Sequence, residues 1–299
     1  MNTLDATVNV NGRITTAAEA TVSVLDHGFL FGDGVYETLR TYHRQPFLLD
    51  AHLQRLRASA DRLALAVPLG DDVLAERLRA TMDGVNPAGE VTLRLLVTRG
   101  VGDLTYDPAA CPTPTIVIIA RPHEAPPPAV FRDGVTTVVA SVIRNHPRSL
   151  DPGIKSNNLL NNVLAMQEAI RQGAYEAILL NHRGELAECS QSNLFAVRDG
   201  TVLTPPLDAG LLEGVTRNFL FDVGSALAIP VREEVLRPAD LARVDELFLT
   251  STTREVVPIT RVGDTPVGTG RPGEITARLL AGFRARAEQL TRPAAAPHA

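Results

Sequence analysis

One lysine stands among the 29 lysine and arginine residues of this 299-residue chain. It is Lys155, inside the stretch "DPGIKSNNLLNNVLAM" from Asp151 to Met166. Arginine serves wherever charge alone matters, but it stays protonated and cannot act as an amine nucleophile. A lysine amine can lose its proton and attack a carbonyl. Read alone, Lys155 is either an exposed loop lysine or such a nucleophile, and a buried setting would favour the second by disfavouring the charged amine.

Four other stretches carry complementary chemistry. Glu188, in "GELAECSQSNLF", follows two apolar residues and precedes a polar run. It is either a surface strand glutamate or a buried carboxylate that meets a cation, and a pyridinium nitrogen is one such cation. "GLLEGVTRN" puts Gly214, Val215 and Thr216 where a helix begins. Free backbone N–H groups and the helix dipole there suit a phosphate, although Thr216 as an ordinary cap explains the motif equally well. "LTSTTRE" offers Thr250, Ser251, Thr252 and Thr253 as a second hydroxyl wall, and Arg55 in "HLQRLRASADRL" could close on a phosphate through two N–H groups. A lysine, a buried acid, a helix end, a hydroxyl loop and an arginine together make the set that pyridoxal 5'-phosphate requires.

These residues need elements to hold them. "ATVNVNGRIT" reads as a hairpin about Asn-Gly. "GVYETLRTYHRQPFLL" reads as two strands about a turn at Arg44 to Pro46. Asp50 looks like the N-cap of a helix with Leu53, Leu56, Ala60 and Leu63 on its apolar face, leaving His52, Arg55 and Ser59 on other faces. A helix near "DDVLAERLRATM" and strands "EVTLRLLVTRG" and "TPTIVIIARP" follow. The second half reads as a strand at "GVTTVVASVIR" and a helix from about Asn157 to Arg171 with Leu159, Val163, Met166 and Ile170 as its stripe. A short buried strand follows at "YEAILLN". "SNLFAVRDGTVLTP" reads as a hairpin turning at Asp199-Gly200, "EGVTRNFLFDVGSALA" as a helix, and "DELFLTSTTREVVPI" as a strand and then a hydroxyl-rich loop. The expected division is a small domain over residues 1–120, a proline-rich linker over 121–133, a larger domain over 134–290 and a disordered tail over 291–299.

Composition narrows the class. The chain is 44% hydrophobic with a net charge of −5, which argues against a nucleic-acid or membrane-surface binder. No apolar run reaches the roughly 20 residues a bilayer span needs, and the start lacks the pattern of a secretory signal. Cys111 and Cys189 make neither a disulfide framework nor a metal cluster. A cytoplasmic location, no metal, no nucleic acid and no membrane partner are expected.

The motifs "FGDGVYE", "HLQRL", "IKSNNLLNN", "GELAECSQSNLF", "LLEGVTR" and "DELFLTSTTRE" together resemble the class IV, fold-type IV pyridoxal phosphate aminotransferases. That group includes branched-chain and D-amino acid aminotransferases and aminodeoxychorismate lyases. The similarity runs from "LDHGFLFGDGVYETLR" to about "EITARLL". It implies an α+β fold with a small N-terminal α+β domain and a larger mixed α/β C-terminal domain, a cofactor between them near a dimer interface, and a homodimer or higher homo-oligomer. It implies Lys155 as the Schiff-base lysine and proton carrier, and Glu188 as partner of the pyridine nitrogen. Arg55, Val215, Thr216, Ser251 and Thr252 fall to the phosphate, Leu212 to the ring face, and Tyr36 and Thr253 to the substrate side.

The substrate signal is mixed. Tyr36 in "VYE", Leu160 and "TSTT" resemble the D-amino acid enzymes. The Arg-x-His pair that many of these carry after "TRG" is replaced by Leu104 and Tyr106, so the carboxylate falls to Arg40 or Arg94, and Arg94 sits where branched-chain enzymes place an arginine. The resulting expectation is a transaminase working between an amino acid and a 2-oxo acid, D-amino acid first. An L-branched-chain aminotransferase comes second, an (R)-amine transaminase third and an aminodeoxychorismate lyase last.

Overall fold

Asn11 and Gly12 both take positive φ, 52° and 96°, the geometry a two-residue hairpin turn needs. They join β1 (Thr7–Val10) to β2 (Arg13–Thr16). The computed structural model, which describes residues 5–85 and 89–292, divides the chain into two compact units. Unit 1 comprises Met1–Glu124, Ile154–Asn158 and Ala287–Ala299; unit 2 comprises Ala125–Gly153 and Leu159–Arg286.

Unit 1 continues with α1 (His27–Phe31), β3 (Gly34–Tyr42), β4 (Gln45–Pro46), α2 (Leu49–Arg62), α3 (Asp71–Met82), β5 (Val91–Thr98) and β6 (Thr115–Pro122). Its six strands form an antiparallel sheet in the order β2-β1-β6-β5-β3-β4. Residues of alternating strand positions, among them Val35, Leu39, Leu93, Leu95, Val97 and Ile118, meet Leu53, Leu56, Leu74 and Leu78 of the two long helices in one core.

Three local expectations change here. The β3–β4 turn is at His43 and Arg44 (φ 51° and 57°), with Pro46 already paired to Thr41. The α2 N-cap is Leu48 in the left-handed region, and Asp50 lies within the first turn, where its charge still complements the helix dipole. His52 and Ser59, expected off the apolar face, are buried.

Unit 2 opens on α4 (Pro128–Asp133), which occupies the end of the expected linker. Pro128 starts it, because a missing N–H costs nothing at a helix N-terminus. β7 (Val135–Val139), α5 (Leu160–Arg171), β8 (Glu176–Leu180), β9 (Leu186–Cys189), β10 (Asn193–Arg198), β11 (Thr201–Thr204), α6 (Val215–Ala226), β12 (Val231–Glu233), β13 (Glu246–Ser251), β14 (Glu255–Val262), β15 (Thr265–Pro266) and α7 (Glu274–Thr291), whose residues from Ala287 on belong to unit 1, complete the order. The strands make a mixed sheet, β12-β11-β10-β13-β14-β7-β8-β9, with β15 on β14. Parallel pairs occur at β11–β12, β14–β7 and β7–β8.

The expected 157–171 helix starts at Leu160, and its large apolar residues do not form its buried face. Ala165 and Ala169 are fully buried against Ala177 and Leu179, while Leu160, Val163 and Ile170 are exposed. Small side chains let the helix lie close on the sheet. The hydroxyl-rich "loop" is the turn of a β13–β14 hairpin, with β14 the strand that sequence reading missed. Of the expected tail, Thr291 ends α7 and Arg292 follows it; residues 293–299 lie outside the described residues.

Candidate active site

In unit 1, Ile154–Asn158 runs beside the start of β3. Tyr36 N donates to Lys155 O (3.0 Å), and Asn157 N donates to Gly34 O (2.8 Å). Lys155 N donates to Ser59 Oγ at 3.2 Å. Gly34 is what permits this closeness: a Cβ there would stand 2.6 Å from Asn157 Nδ2 and 2.7 Å from Val97 O. The backbone of the lone lysine is therefore held at both its N–H and its carbonyl, and Asn157 pins the same segment to β3. Its side chain is half-buried, not buried, with Nζ 4.5 Å from the centre of the Tyr36 ring.

Tyr36, Thr38, Arg40 and Tyr42 share the β3 face opposite the core, by the two-residue period of a strand. Arg94 of β5 pairs with Thr38 and joins that face. Its guanidinium lies 4.0 Å over Tyr36, and that of Arg40 lies 4.0 Å over Tyr42. Leu96, Val117 and Ile119, half-buried, extend the face as an aliphatic floor. Leu104 and Tyr106 are 74% and 88% exposed, so those positions offer neither charge nor an enclosed surface.

Arg55 is not simply waiting for an anion. Its Nε and Nη2 each donate at 2.7 Å to the two oxygens of Glu37, and His52 Nδ1 lies 2.7 Å from Glu37 Oε2. Burial by itself would raise the Glu37 carboxyl, but the charge and hydrogen bonds of Arg55, with help from His52, outweigh it and hold the pKa at about 2. Burial lowers the His52 pKa, so a neutral imidazole donates to an ionised carboxylate. Sequence reading missed Glu37 and His52, although the i, i+3 spacing of His52 and Arg55 on α2 puts them on neighbouring positions of one helix.

In unit 2, Glu188 is buried on β9, the second of the two readings its sequence left open. The cation it meets there is Arg144, whose Nε donates to Oε1 at 2.7 Å; Arg144 Nη1 also donates to Asn161 Oδ1 at 3.0 Å. Glu188 Oε2 accepts from Leu212 N at 3.1 Å and from Asn193 Nδ2 at 3.5 Å, and Asn193 Nδ2 also donates to Leu212 O at 2.9 Å. No spacing rule points to Arg144 or Asn193.

Asn193 gathers the anion-binding candidates. A Cβ on Gly214, the α6 N-cap, would fall 1.9 Å from Asn193 Oδ1, so only glycine fits. Asn193 is also the register partner of Thr250. Thr216 is not the cap; it lies in the first turn of α6 with Val215, both buried, where backbone N–H groups have no intrahelical partners. Thr250 Oγ1 is buried without a hydrogen-bond partner among the described residues, and Ser251, Thr252 and Thr253 follow it half-buried. The orphaned Thr250 hydroxyl, on the register partner of the Asn193 that packs against the Gly214 N-cap, fits a phosphate ester. Among the described residues no cluster of three metal-ligating side chains occurs, and no helix is long and apolar enough to cross a membrane.

Residues 34–262 match the family described as Amino-transferase class IV. A Methanocaldococcus jannaschii protein, provisionally named a branched-chain-amino-acid aminotransferase, is 40% identical over 93% of this chain and 95% of its own length. The D-alanine aminotransferase of Listeria monocytogenes is 37% identical over 95% of this chain and 96% of its own. The branched-chain amino acid aminotransferase of T.th., solved with pyridoxamine 5'-phosphate, superposes with a TM-score of 0.89 at 28% identity, covering 96% of this chain and 95% of that one.

Proposed function

Because the chain belongs to the class IV aminotransferases, which are pyridoxal phosphate enzymes working between amino acids and 2-oxo acids, we propose that its amino donor is an L-branched-chain amino acid. The supporting observation is the Tyr36 face. It carries two guanidinium groups, Arg94 stacked on Tyr36 beside a floor of Leu96, Val117 and Ile119, and Arg40 farther along over Tyr42. A carboxylate on Arg94 and an aliphatic side chain on that floor suit this surface. The D-amino acid reading that sequence placed first is the second reading. It is supported by Tyr36 and by the D-alanine relatives, and it loses weight because Leu104 and Tyr106 supply no cationic trap. The deciding measurement follows transfer to 2-oxoglutarate from matched L- and D-donors. L-leucine or L-valine should be consumed at least about tenfold faster than D-alanine or D-glutamate, a margin of roughly 1.4 kcal/mol in barrier. The reverse order transfers the proposal to the D-amino acids.

Pyridoxal phosphate, when bound, supplies an electron-withdrawing ring for the charge left as the substrate loses its α-proton. Lys155 would hold it covalently and move that proton at Nζ. Glu188 would face the ring nitrogen, with Leu212 against the ring. Arg55, Val215, Thr216, Ser251 and Thr252 would take the phosphate, and Tyr36, Arg40, Arg94 and Thr253 would line the substrate side. We carry a homodimer in the same proposal, since Phe29, Leu104 and Tyr106 leave apolar surface for a second copy to cover. A cytoplasmic location accords with two unpaired, buried thiols.

Glu188→Gln tests one of these roles. It removes the negative charge and keeps the shape, so proton abstraction in a single turnover at saturating cofactor should slow about 10²-fold. Because Arg144 is then left buried without its anion, thermal melts of the same protein separate lost stability from lost rate. An unchanged single-turnover rate would take Glu188 away from the ring nitrogen.

A further inference from the structure

Glu176 is fully buried at the start of the apolar strand β8 and has no part in the chemistry above. One oxygen accepts from Gln191 N, from Ser192 Oγ at 3.0 Å and from Ser190 Oγ at 3.3 Å. The other accepts from Arg254 Nη1 at 2.8 Å. Arg254 directs its remaining edges to two turns: Nη2 donates to Gln191 O at 3.4 Å, and Nε donates to Ser251 Oγ at 3.0 Å. A charge pair taken out of water adds little net stability, so its presence here asks for another role.

That role lies in the turn it grips. Ser251 and Glu255 are paired, and Thr252, Thr253 and Arg254 form the three-residue connection between them. Glu255 sits at φ 62°, a conformation disfavoured for a residue with a side chain, and its carboxylate is anchored by Arg284 Nε at 2.6 Å. The C-terminal end of the turn is thus held by two ion pairs, Glu176–Arg254 and Glu255–Arg284, and Arg254 ties it back to Ser251 at the other end.

We propose that Arg254, anchored by Glu176, is a positioning residue that turns Ser251 into a hydrogen-bond donor for the cofactor's phosphate. A hydroxyl has one proton and two acceptor sites, whereas guanidinium can only donate. With Arg254 Nε–H directed into Ser251 Oγ, the serine proton cannot return to the arginine and is left to face an acceptor. An anionic phosphate oxygen is its complement. The proposal rests on the assignment of the Ser251–Thr252 turn to phosphate.

The test compares the protein reconstituted with pyridoxal phosphate or with pyridoxal, which lacks the phosphate, and reads the two dissociation constants by equilibrium dialysis. Their ratio isolates the phosphate's contribution. Arg254→Lys keeps the charge beside Glu176 but loses the N–H aimed at Ser251. It should cut the ratio roughly tenfold, in line with loss of a charge-assisted bond, and leave pyridoxal affinity unchanged. Ser251→Ala should cut the ratio equally, and the double variant should cut it no further. Weakening of both ligands together in Arg254→Lys would mean a general structural role and overturn the proposal. A ratio unchanged in Arg254→Lys but lowered in Ser251→Ala and Thr252→Val would overturn the positioning role alone. A ratio unchanged in all three would remove the phosphate assignment itself.

Discussion

The Lys155→Arg protein should fold, carry its charge in place and turn over at least about 10⁴-fold more slowly than the parent, beyond the upper range of a general acid–base contribution, because covalent attachment is lost as well. Its backbone is fixed by hydrogen bonds to Tyr36 N, through Lys155 O, and to Ser59 Oγ, neither of which depends on the side chain. An arginine there keeps a cation near the Tyr36 ring but can neither condense with a carbonyl nor accept the α-proton at neutral pH. The absence of any second lysine makes the chemical test unusually clean. Borohydride reduction of the holoenzyme followed by peptide mapping should place the cofactor label on the Asp151–Met166 stretch, at Lys155. Label on the N-terminal amine alone, or turnover retained by the arginine variant, would end the assignment.

The features sequence could disclose are those carried by neighbouring residues. Asn11–Gly12 and Asp199–Gly200 turn because their φ values are positive at both residues, a property of the dipeptides themselves. Lys155 stood out by residue type, and Glu188 by its place in an apolar run. What sequence could not disclose is pairing across elements. Glu188 meets Arg144 over 44 positions of chain, and Glu176 meets Arg254 over 78. No periodicity records either. The α5 stripe failed for a different reason. A helical period finds where large apolar residues repeat, but the closest contact with the sheet is made by Ala165 and Ala169, which such a search underweights. The Asp50 cap failed because a left-handed Leu48 started the helix, a conformation that β-to-helix geometry imposes against local preference.

Arg55 was legible as an anion binder and illegible as half of a buried pair, and that difference has a measurable consequence. Glu37→Gln should destabilise the protein by about 3–5 kcal/mol in chemical denaturation, the range for stripping one partner from a buried ion pair, because Arg55 and the buried His52 then lose the carboxylate they share. The acid response should change with it. The Glu37 carboxyl titrates near 2 in the folded chain against an ordinary 4.5. A depressed carboxyl stabilises the fold fully above its unfolded value and loses that contribution as pH falls through the folded one. Here the contribution is about 3 kcal/mol, present above pH 4.5 and drained between 4.5 and 2. His52 acts in the same direction at higher pH. Its folded pKa is lowered by burial, so below 6.5 the unfolded chain takes up a proton that the folded chain refuses. The parent should therefore lose stability in two stages on acidification, and Glu37→Gln should lack the lower stage. Cofactor retention should fall as well, since an Arg55 no longer held at two nitrogens must be ordered by the phosphate at its own entropic cost. Equal denaturation midpoints and equal acid slopes in parent and variant would show that Glu37 neither anchors Arg55 nor carries the acid sensitivity of this unit.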